Sequence, residues 1–339
     1  MDIQERILPD RRMKCFAVVL SVVFVLLGST PNESQATSVD WRISAVGDIM
    51  LDRDVRTKLD TVGLEALITP VRPILKGNIV IGNLEGPFTT NRSVAGNTYL
   101  NFTFDPKWAP ELKRLGFTHL SLANNHTLNF GRAGMSSTKQ FMSAAGLRSF
   151  GDPSTTIGTS RIVRMNGTKV ALVGYHGLSV DFGQVLEEIR ILKSRAHLIV
   201  VMPHWGAEYA LGIQPRLQRQ AREMIDAGAD VILGGHPHVI EPIEIYRGRL
   251  IAYSLGNFLF DQYWSTETQQ GLVVSLTKIG RKFVVRLKPI ISKQTVVYPA
   301  TPSVRANILN RIADSSVVSV AQRRSIRTGI IVLNYPARR

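Results

Sequence analysis

Cysteine is nearly absent from this chain of 339 residues: Cys15 is the only one. That excludes a disulfide framework and any zinc-finger or other thiolate metal site. A metal held by this chain must be held by His, Asn, Asp and Glu. Acidic residues are also scarce, with 26 Asp and Glu against 41 Lys and Arg, a net charge of +15. No apolar run reaches the ~20 residues that a membrane-spanning helix needs. Repeats and low-complexity tracts are absent. With 44% hydrophobic and 20% charged residues the composition is that of a folded protein, which sets disorder aside.

The longest apolar run, Cys15 to Gly28, follows Arg11, Arg12 and Lys14 and precedes Ser34-Gln35-Ala36, a small-x-small pattern. Residues 1–36 therefore predict either a cleaved signal peptide, hence export to the periplasm or cell envelope, or an uncleaved N-terminal anchor. Met13 is an alternative start. A lipoprotein is disfavoured because Cys15 precedes the apolar run. The acidic and basic residues of 1–36 balance, so the remainder keeps the whole positive charge. Such an excess suits an anionic partner or a solvated surface. No nucleic acid is expected, because the basic residues are scattered and no recognition motif is present.

Short runs rich in Val, Ile and Leu at 43–46, 78–82, 117–122, 170–174, 197–202, 230–233 and 250–255 predict buried strands. Helical patterns at 107–115, 132–146, 183–195 and 215–227 fall between several of them. The alternation predicts an α/β layered domain over 41–290. Asn166-Gly167 and Arg247-Gly248 predict hairpins, and 271–277 and 282–290 read as further strands. The sheets are therefore expected to be mixed. Residues 291–339 are expected to form a basic helical tail.

The residues just past each run carry the chemistry. The strands lead into Gly47-Asp48, Gly82-Asn83-Leu84-Glu85, Asn124-Asn125-His126, Tyr175-His176, Pro203-His204 and Gly234-Gly235-His236-Pro237-His238. Ligands of open α/β sheets bind beyond the carboxyl ends of the strands. Imidazole, carboxylate and amide donors together suit Mn, Fe, Zn or Mg. Two such ions held close can activate water and clamp a phosphoryl oxygen. Pro237 argues for a loop around the paired histidines, and the glycines before it permit close backbone approach.

The set Gly47-Asp48-Ile49-Met50-Leu51, Gly82-Asn83-Leu84-Glu85-Gly86-Pro87, Leu122-Ala123-Asn124-Asn125-His126, Pro203-His204-Trp205-Gly206, Gly234-Gly235-His236-Pro237-His238 and Tyr253-Ser254-Leu255-Gly256-Asn257-Phe258 resembles the CapA family. These are capsule or poly-γ-glutamate synthesis proteins with a calcineurin-like metallophosphoesterase fold. The resemblance runs from about Arg42 to Pro289. It implies an α/β sandwich of two mixed β-sheets flanked by helices, holding one or two divalent metal ions. It implies Asp48, Glu85, Asn125, His204, His236 and His238 as metal ligands and His126 as proton donor to a leaving group. Asn83 competes with Glu85 as the match to the aspartate of the wider superfamily.

Two departures bear on activity. Met50 stands where that superfamily has a histidine, and a thioether is a poor ligand for a hard cation. Asn129 stands where an acidic residue often supports the histidine corresponding to His126. The setting implied is production of capsule or an extracellular anionic polymer, with that polymer or a phosphoester as substrate and a membrane synthesis or export complex as partner. The rivals are a non-catalytic metal-binding component of such a complex and a periplasmic phosphodiesterase unrelated to capsule.

Plainer roles compete at single positions. Asp48 suits a helix cap, Glu85 a surface site, and Asn125-His126 a polar turn with a core histidine. His176 reads as a satisfied core histidine, and His119 and His197 as structural. Asn257 either orients the site or closes a turn. Trp205 either walls the pocket or fills the core.

Overall fold

The computed structural model describes residues 39–90 and 100–336. The signal or anchor expected in 1–36 lies outside the described residues. Among those described, no helix is long and apolar enough to cross a membrane.

The chain runs β1 (Trp41–Ile49), α1 (Arg53–Ile68), β2 (Ile79–Leu84), α2 (Trp108–Arg114), β3 (His119–Ser121), α3 (Gly131–Ala144) and β4 (Arg148–Phe150). It continues with β5 (Arg161–Met165), β6 (Thr168–His176), α4 (Phe182–Lys193), β7 (Leu198–His204), α5 (Pro215–Ala227), β8 (Val231–Leu233), β9 (Ile243–Tyr246) and β10 (Arg249–Ala252). It ends with β11 (Asn257–Leu259), β12 (Gln270–Ile279), β13 (Lys282–Lys293), β14 (Val296–Pro299), α6 (Pro302–Ser315), α7 (Val320–Thr328) and β15 (Ile330–Asn334).

One sheet has the order β14-β13-β12-β1-β2-β3-β4, with β11 on β1 and β15 on β13; the other has the order β5-β6-β7-β8-β10-β9. In the first, β1 through β4 are parallel and β12 through β14 antiparallel. In the second, β6, β7, β8 and β10 are parallel, with antiparallel β5 and β9 at the edges. Two mixed sheets flanked by helices are thus the architecture, as the motifs implied.

Side-chain alternation explains the layering. Val170 and Leu172 on β6, with Leu198 and Val200 on β7, point into a core shared with Ile43 and Ala45 of the other sheet. Their neighbours Ala171, Val173, Ile199 and Val201 point the other way, onto Val185 and Ile189 of α4 and Leu217 and Met224 of α5. On the far side, Val46 and Val80 meet Val55 and Leu59 of α1 and Leu112 of α2. A strand buried on both faces reads as an unbroken apolar run. The hairpins obey their turn residues: Asn166 and Gly167, and Arg247 and Gly248, all have positive φ, as a two-residue turn of this hand requires.

The expected helical tail over 291–339 is only partly helical. β13 continues to Lys293, and on the edge opposite β12 it carries β14 at one end and β15 at the other. Ile308, Leu309 and Ile312 of α6, Ile326 of α7 and Ile331 and Leu333 of β15 join the core between the sheets. The segment is part of the sandwich because its apolar stripe has nowhere else to be buried. α1 is not among the helical patterns named from the sequence, although a helix after Asp48 was implied by the cap reading. Asp52 starts it by accepting the Arg53 N–H at 2.8 Å. Gly63, at φ +79°, kinks it and blurs the helical period.

Candidate metal centre

Strand register brings the first group together. Asp48 at the end of β1 pairs with Asn83 on β2 and with Asn257 on β11. Close backbone passage makes this possible. A Cβ at residue 47 would sit 1.8 Å from the Gly256 carbonyl oxygen, so glycine is required there, and one at residue 235 would sit 2.7 Å from Asp48 Oδ1 and displace that carboxylate. Asp48 does not cap α1; Asp52 does that.

An amide chain fixes this side. The Asn124 side-chain oxygen accepts the backbone N–H groups of His126 and Thr127, each at 3.0 Å. Its amino group therefore faces inward, donating to Leu84 O at 2.9 Å and Asn83 Oδ1 at 2.8 Å. That sets Asn83, whose amino group donates to Asp48 Oδ1 at 2.9 Å, Glu85 Oε2 at 3.3 Å and His204 Nδ1 at 3.2 Å. Asn83 and Glu85 thus both reach the centre, with different parts. Asn83 braces it as a donor, and Glu85 brings carboxyl oxygens.

The histidines come from the second sheet. His204 ends β7, and its Nε2–H donates to Asn125 Oδ1 at 2.8 Å. His236 and His238 come after β8 in a loop, both with positive φ, at +92° and +59°. The left-handed region is costly for side chains other than Gly and Asn. Asn257 spends its amino group on Gln262 Oε1 and Thr268 O, so its oxygen accepts the His238 Nδ1–H at 3.0 Å. That leaves His238 Nε2 facing inward. Glu85 Oε1 lies 3.7 Å from this atom, 4.0 Å from His204 Nε2 and 3.9 Å from His126 Nε2.

The electrostatics are those of a crowded dry site. Burial pushes the Glu85 carboxyl well above the usual carboxylate range, and the Asp48 charge adds to this. Burial also pushes His204 well below the usual histidine range, with His236 and His238 adding to it. Burial brings both His236 and His126 to about 4. His238 goes the other way: burial opposes it, but Glu85 and Asp48 prevail and hold it at about 9.

Glu85 Oε1 and His236 Nδ1 are buried without a hydrogen-bond partner among the described residues. Two groups, Asp48–Glu85–His204 and Glu208–His236–His238, each have ligand atoms within 4.8 Å of one another. Buried carboxyl groups beside imidazoles, with oxygen and nitrogen atoms facing no partner, fit a divalent cation of the harder or borderline kind.

All the residues expected at the site, Asp48, Glu85, Asn125, His126, His204, His236 and His238, converge here, with Asn125 at the exposed mouth. Met50 does not. It is fully buried in the core beside α1, and its sulfur accepts the Asp52 N–H at 3.0 Å. Asn129 keeps a supporting contact, its oxygen accepting from His126 Nδ1 at 3.1 Å while Phe102 lies against the ring, centroids 4.2 Å apart. Trp205 belongs to the core, donating to Tyr253 O at 2.9 Å. Asn257 orients His238. His176 holds Pro153 O at 2.9 Å through Nδ1, but its buried Nε2 has no partner among the described residues. His119 and His197 hydrogen-bond locally, away from the centre. The sequence reading named Asn124 within a motif but gave it no role, and it missed Glu208. The doubled Asn124-Asn125 was the available signal for the first, and the spacing of Glu208 behind His204 for the second.

Residues 42–262 match the family model described as "Bacterial capsule synthesis protein PGA_cap". The chain is 33% identical to the PGA biosynthesis protein CapA of Bacillus subtilis (strain 168), covering 76% of this chain and 75% of that protein. It is 30% identical to the capsule biosynthesis protein CapA of Bacillus anthracis, covering 79% and 72%. Among solved structures, a hypothetical protein from Thermus thermophilus is similar at 15% identity and a TM-score of 0.43, covering 77% of this chain and 96% of that one. The motifs at the strand ends, the sandwich that carries them and the match across most of the domain lead to one assignment: the chain belongs to the bacterial capsule synthesis protein family PGA_cap.

Proposed function

We propose that this protein acts in making a capsule or extracellular anionic polymer of the poly-γ-glutamate type, as an exported or anchored envelope protein with a metal-dependent hydrolase site. The observation that carries the reading is the buried meeting of Asp48, Glu85 and His204, with Glu85 Oε1 aimed among three imidazoles. Asp48, Glu85, Asn125, His204, His236 and His238 would hold one or two divalent ions, with Mn, Fe, Zn and Mg as candidates. Bound there, such ions supply Lewis acidity and an activated water. Asn83 and Asn257 fix the orientation of the carboxylates and His238. His126 keeps its Nδ1 proton on Asn129, so Nε2 is the lone-pair nitrogen facing the centre, the atom that would take a proton from an attacking water and, as imidazolium, return it to a leaving oxygen. The net charge of +15 favours a polyanionic substrate or product.

A second reading has a specific observation behind it. Met50 is turned into the core, and His126 is backed by a neutral amide where a carboxylate would sharpen its proton chemistry. Both suit a component that binds metal or polymer beside a membrane synthesis or export complex without hydrolysing anything.

The test is metal analysis of purified protein, paired with phosphodiester and polymer hydrolysis assays of the parent, His126→Ala and the double variant His236→Ala, His238→Ala. Stoichiometric metal, with hydrolysis lost in both variants, is expected. Absence of metal from the parent sinks the site. Metal without hydrolysis, and polymer output indifferent to His126→Ala, gives the role to the second reading. Mass spectrometry of the exported N-terminus tests cleavage after Ala36; an intact Met1 or Met13 terminus rejects it.

A further inference from the structure

The loop after β7 brings a carboxylate to the histidine side of the centre. Trp205 N–H donates to Gly235 O at 3.1 Å, and Tyr209 N–H donates to Pro237 O at 2.8 Å. These two bonds lay residues 205–209 along residues 235–237, as a short unlabelled ribbon beyond the ends of β7 and β8. Glu208 falls between the two pins, opposite the paired histidines. Tyr209 is held at φ +65° to make the turn, so the segment is constrained at that point. A carboxylate oxygen of Glu208 and one nitrogen each of His236 and His238 lie within 4.8 Å of one another. His236 Nδ1 is buried without a partner among the described residues, on a ring only 6% exposed.

We propose that Glu208 is a metal ligand, completing with His236 and His238 a second divalent-cation position beside the one formed by Asp48, Glu85 and His204. The proposal rests on the reading that this centre binds metal, and it adds a donor outside the expected set. The loss of a donor at residue 50 gives it a reason. Met50 sends its sulfur into the core, so β1 offers Asp48 and nothing further. Glu208 supplies an oxygen from the opposite wall. Two imidazoles with one carboxylate suit Zn²⁺, Mn²⁺ or Fe²⁺ and leave coordination positions open. Glu85 Oε1 is 3.7 Å from His238 Nε2 and 4.0 Å from His204 Nε2, one histidine of each group. Because Glu208 is exposed, the second ion is the more exchangeable one.

The experiment counts ions. Full-length protein is stripped with chelator and titrated calorimetrically with Mn²⁺ and, separately, Zn²⁺, and bound metal is counted by mass spectrometry. Glu208→Gln is compared with the parent and with Glu223→Gln, an exposed glutamate on α5. The parent is expected to take up two ions with different affinities. Glu208→Gln should weaken the looser one by roughly tenfold or more and leave the tighter one within about twofold, a loss of the size that ligand-shell changes produce. Its metal-free melting curve should match the parent, and Glu223→Gln should bind like the parent. Two ions held equally well by Glu208→Gln overturn the proposal and leave the metal reading standing. A parent that binds a single ion, unaffected by Glu208→Gln, does the same. A parent that binds none takes the wider reading down with the proposal.

Discussion

The two walls of the centre are built by different means. The carboxylate and amide wall, from β1, β2 and the loop after β3, is set by the sheet. Asp48 lies in register with Asn83 and Asn257, and none of Asp48, Asn83, Glu85 or Asn124 has positive φ. The histidine wall, from β7 and the loop after β8, is set by strain. His236, His238 and Tyr209 all sit in the left-handed region, where each such residue costs on the order of 1–3 kcal/mol. Such strain persists only when surrounding contacts over-determine it. Here those contacts are Trp205 N–H on Gly235 O, Tyr209 N–H on Pro237 O and His238 on Asn257. The first wall is therefore present once the strands pair, whereas the second depends on packing and on what the rings bind.

If that contrast holds, glycine substitutions separate the walls. Gly47→Ala should be the most damaging change. Its Cβ would meet backbone, the Gly256 carbonyl oxygen 1.8 Å away, and backbone at a strand junction cannot yield. A loss of about 3 kcal/mol or more is expected in urea unfolding. A loss under about 1 kcal/mol would show that the β1–β11 junction is softer than argued. Gly235→Ala meets a side-chain oxygen, Asp48 Oδ1 at 2.7 Å, which can swing aside. It should cost stability less, about 1–2 kcal/mol, and metal uptake more.

Metal removal probes the strained wall directly. Chelation should lower the melting temperature, because an ion at about a hundred times its dissociation constant stabilises by ~2.7 kcal/mol. For a domain of this size that corresponds to roughly 4 °C. An unchanged melting temperature would mean that the loop after β8 is held by packing alone. Asn257→Ala removes the acceptor that fixes His238 Nδ1, and a ~10–100-fold fall in metal affinity is expected by calorimetry. If affinity stays within a few-fold, Asp48 Oδ2, 3.3 Å from the same nitrogen, suffices to orient the ring.

Most of the sandwich was legible because its central strands are buried on both faces. Ile43–Val46 or Leu198–Met202 reads as a solid apolar run, and the polar residue that ends it stands out. β4 and β11, three residues each, carried no such signal, whereas the equally short β3 and β8 sit inside apolar runs and did. β15 alternates exposed and buried residues between a helix and the chain end, so it was read into a helical tail. At the site, position after a strand identified the residues that converge but not their division of labour. Asn83 and Glu85 were rivals for one role because the sequence cannot show which way an amide faces. Its orientation comes from Asn124, which answers to the backbone of His126 and Thr127. Glu208 escaped notice because an exposed glutamate in a turn resembles any surface residue until the pairing of Tyr209 with Pro237 places it.

The smallest expected effect concerns a carboxyl just beyond the histidine loop. Glu241 is almost wholly buried, and neither of its oxygens has a partner among the described residues. Burial pushes it up to about 8. The folded state then keeps a proton that the unfolded chain releases above the ordinary carboxylate value. Between those two values the folded state binds more protons than the unfolded one, so stability falls as pH rises toward about 8 and levels off beyond it. Glu241→Gln carries no proton to lose. Its melting temperature should match that of the parent near about pH 5 and exceed it by a few degrees near about pH 8. The walls of the metal centre would enter the same titration, so the comparison is made with chelator present in both proteins. If the parent and Glu241→Gln decline in parallel, the fall belongs to the ionisable residues of the centre, and the segment after the histidine loop is as settled as the strands on the opposite wall.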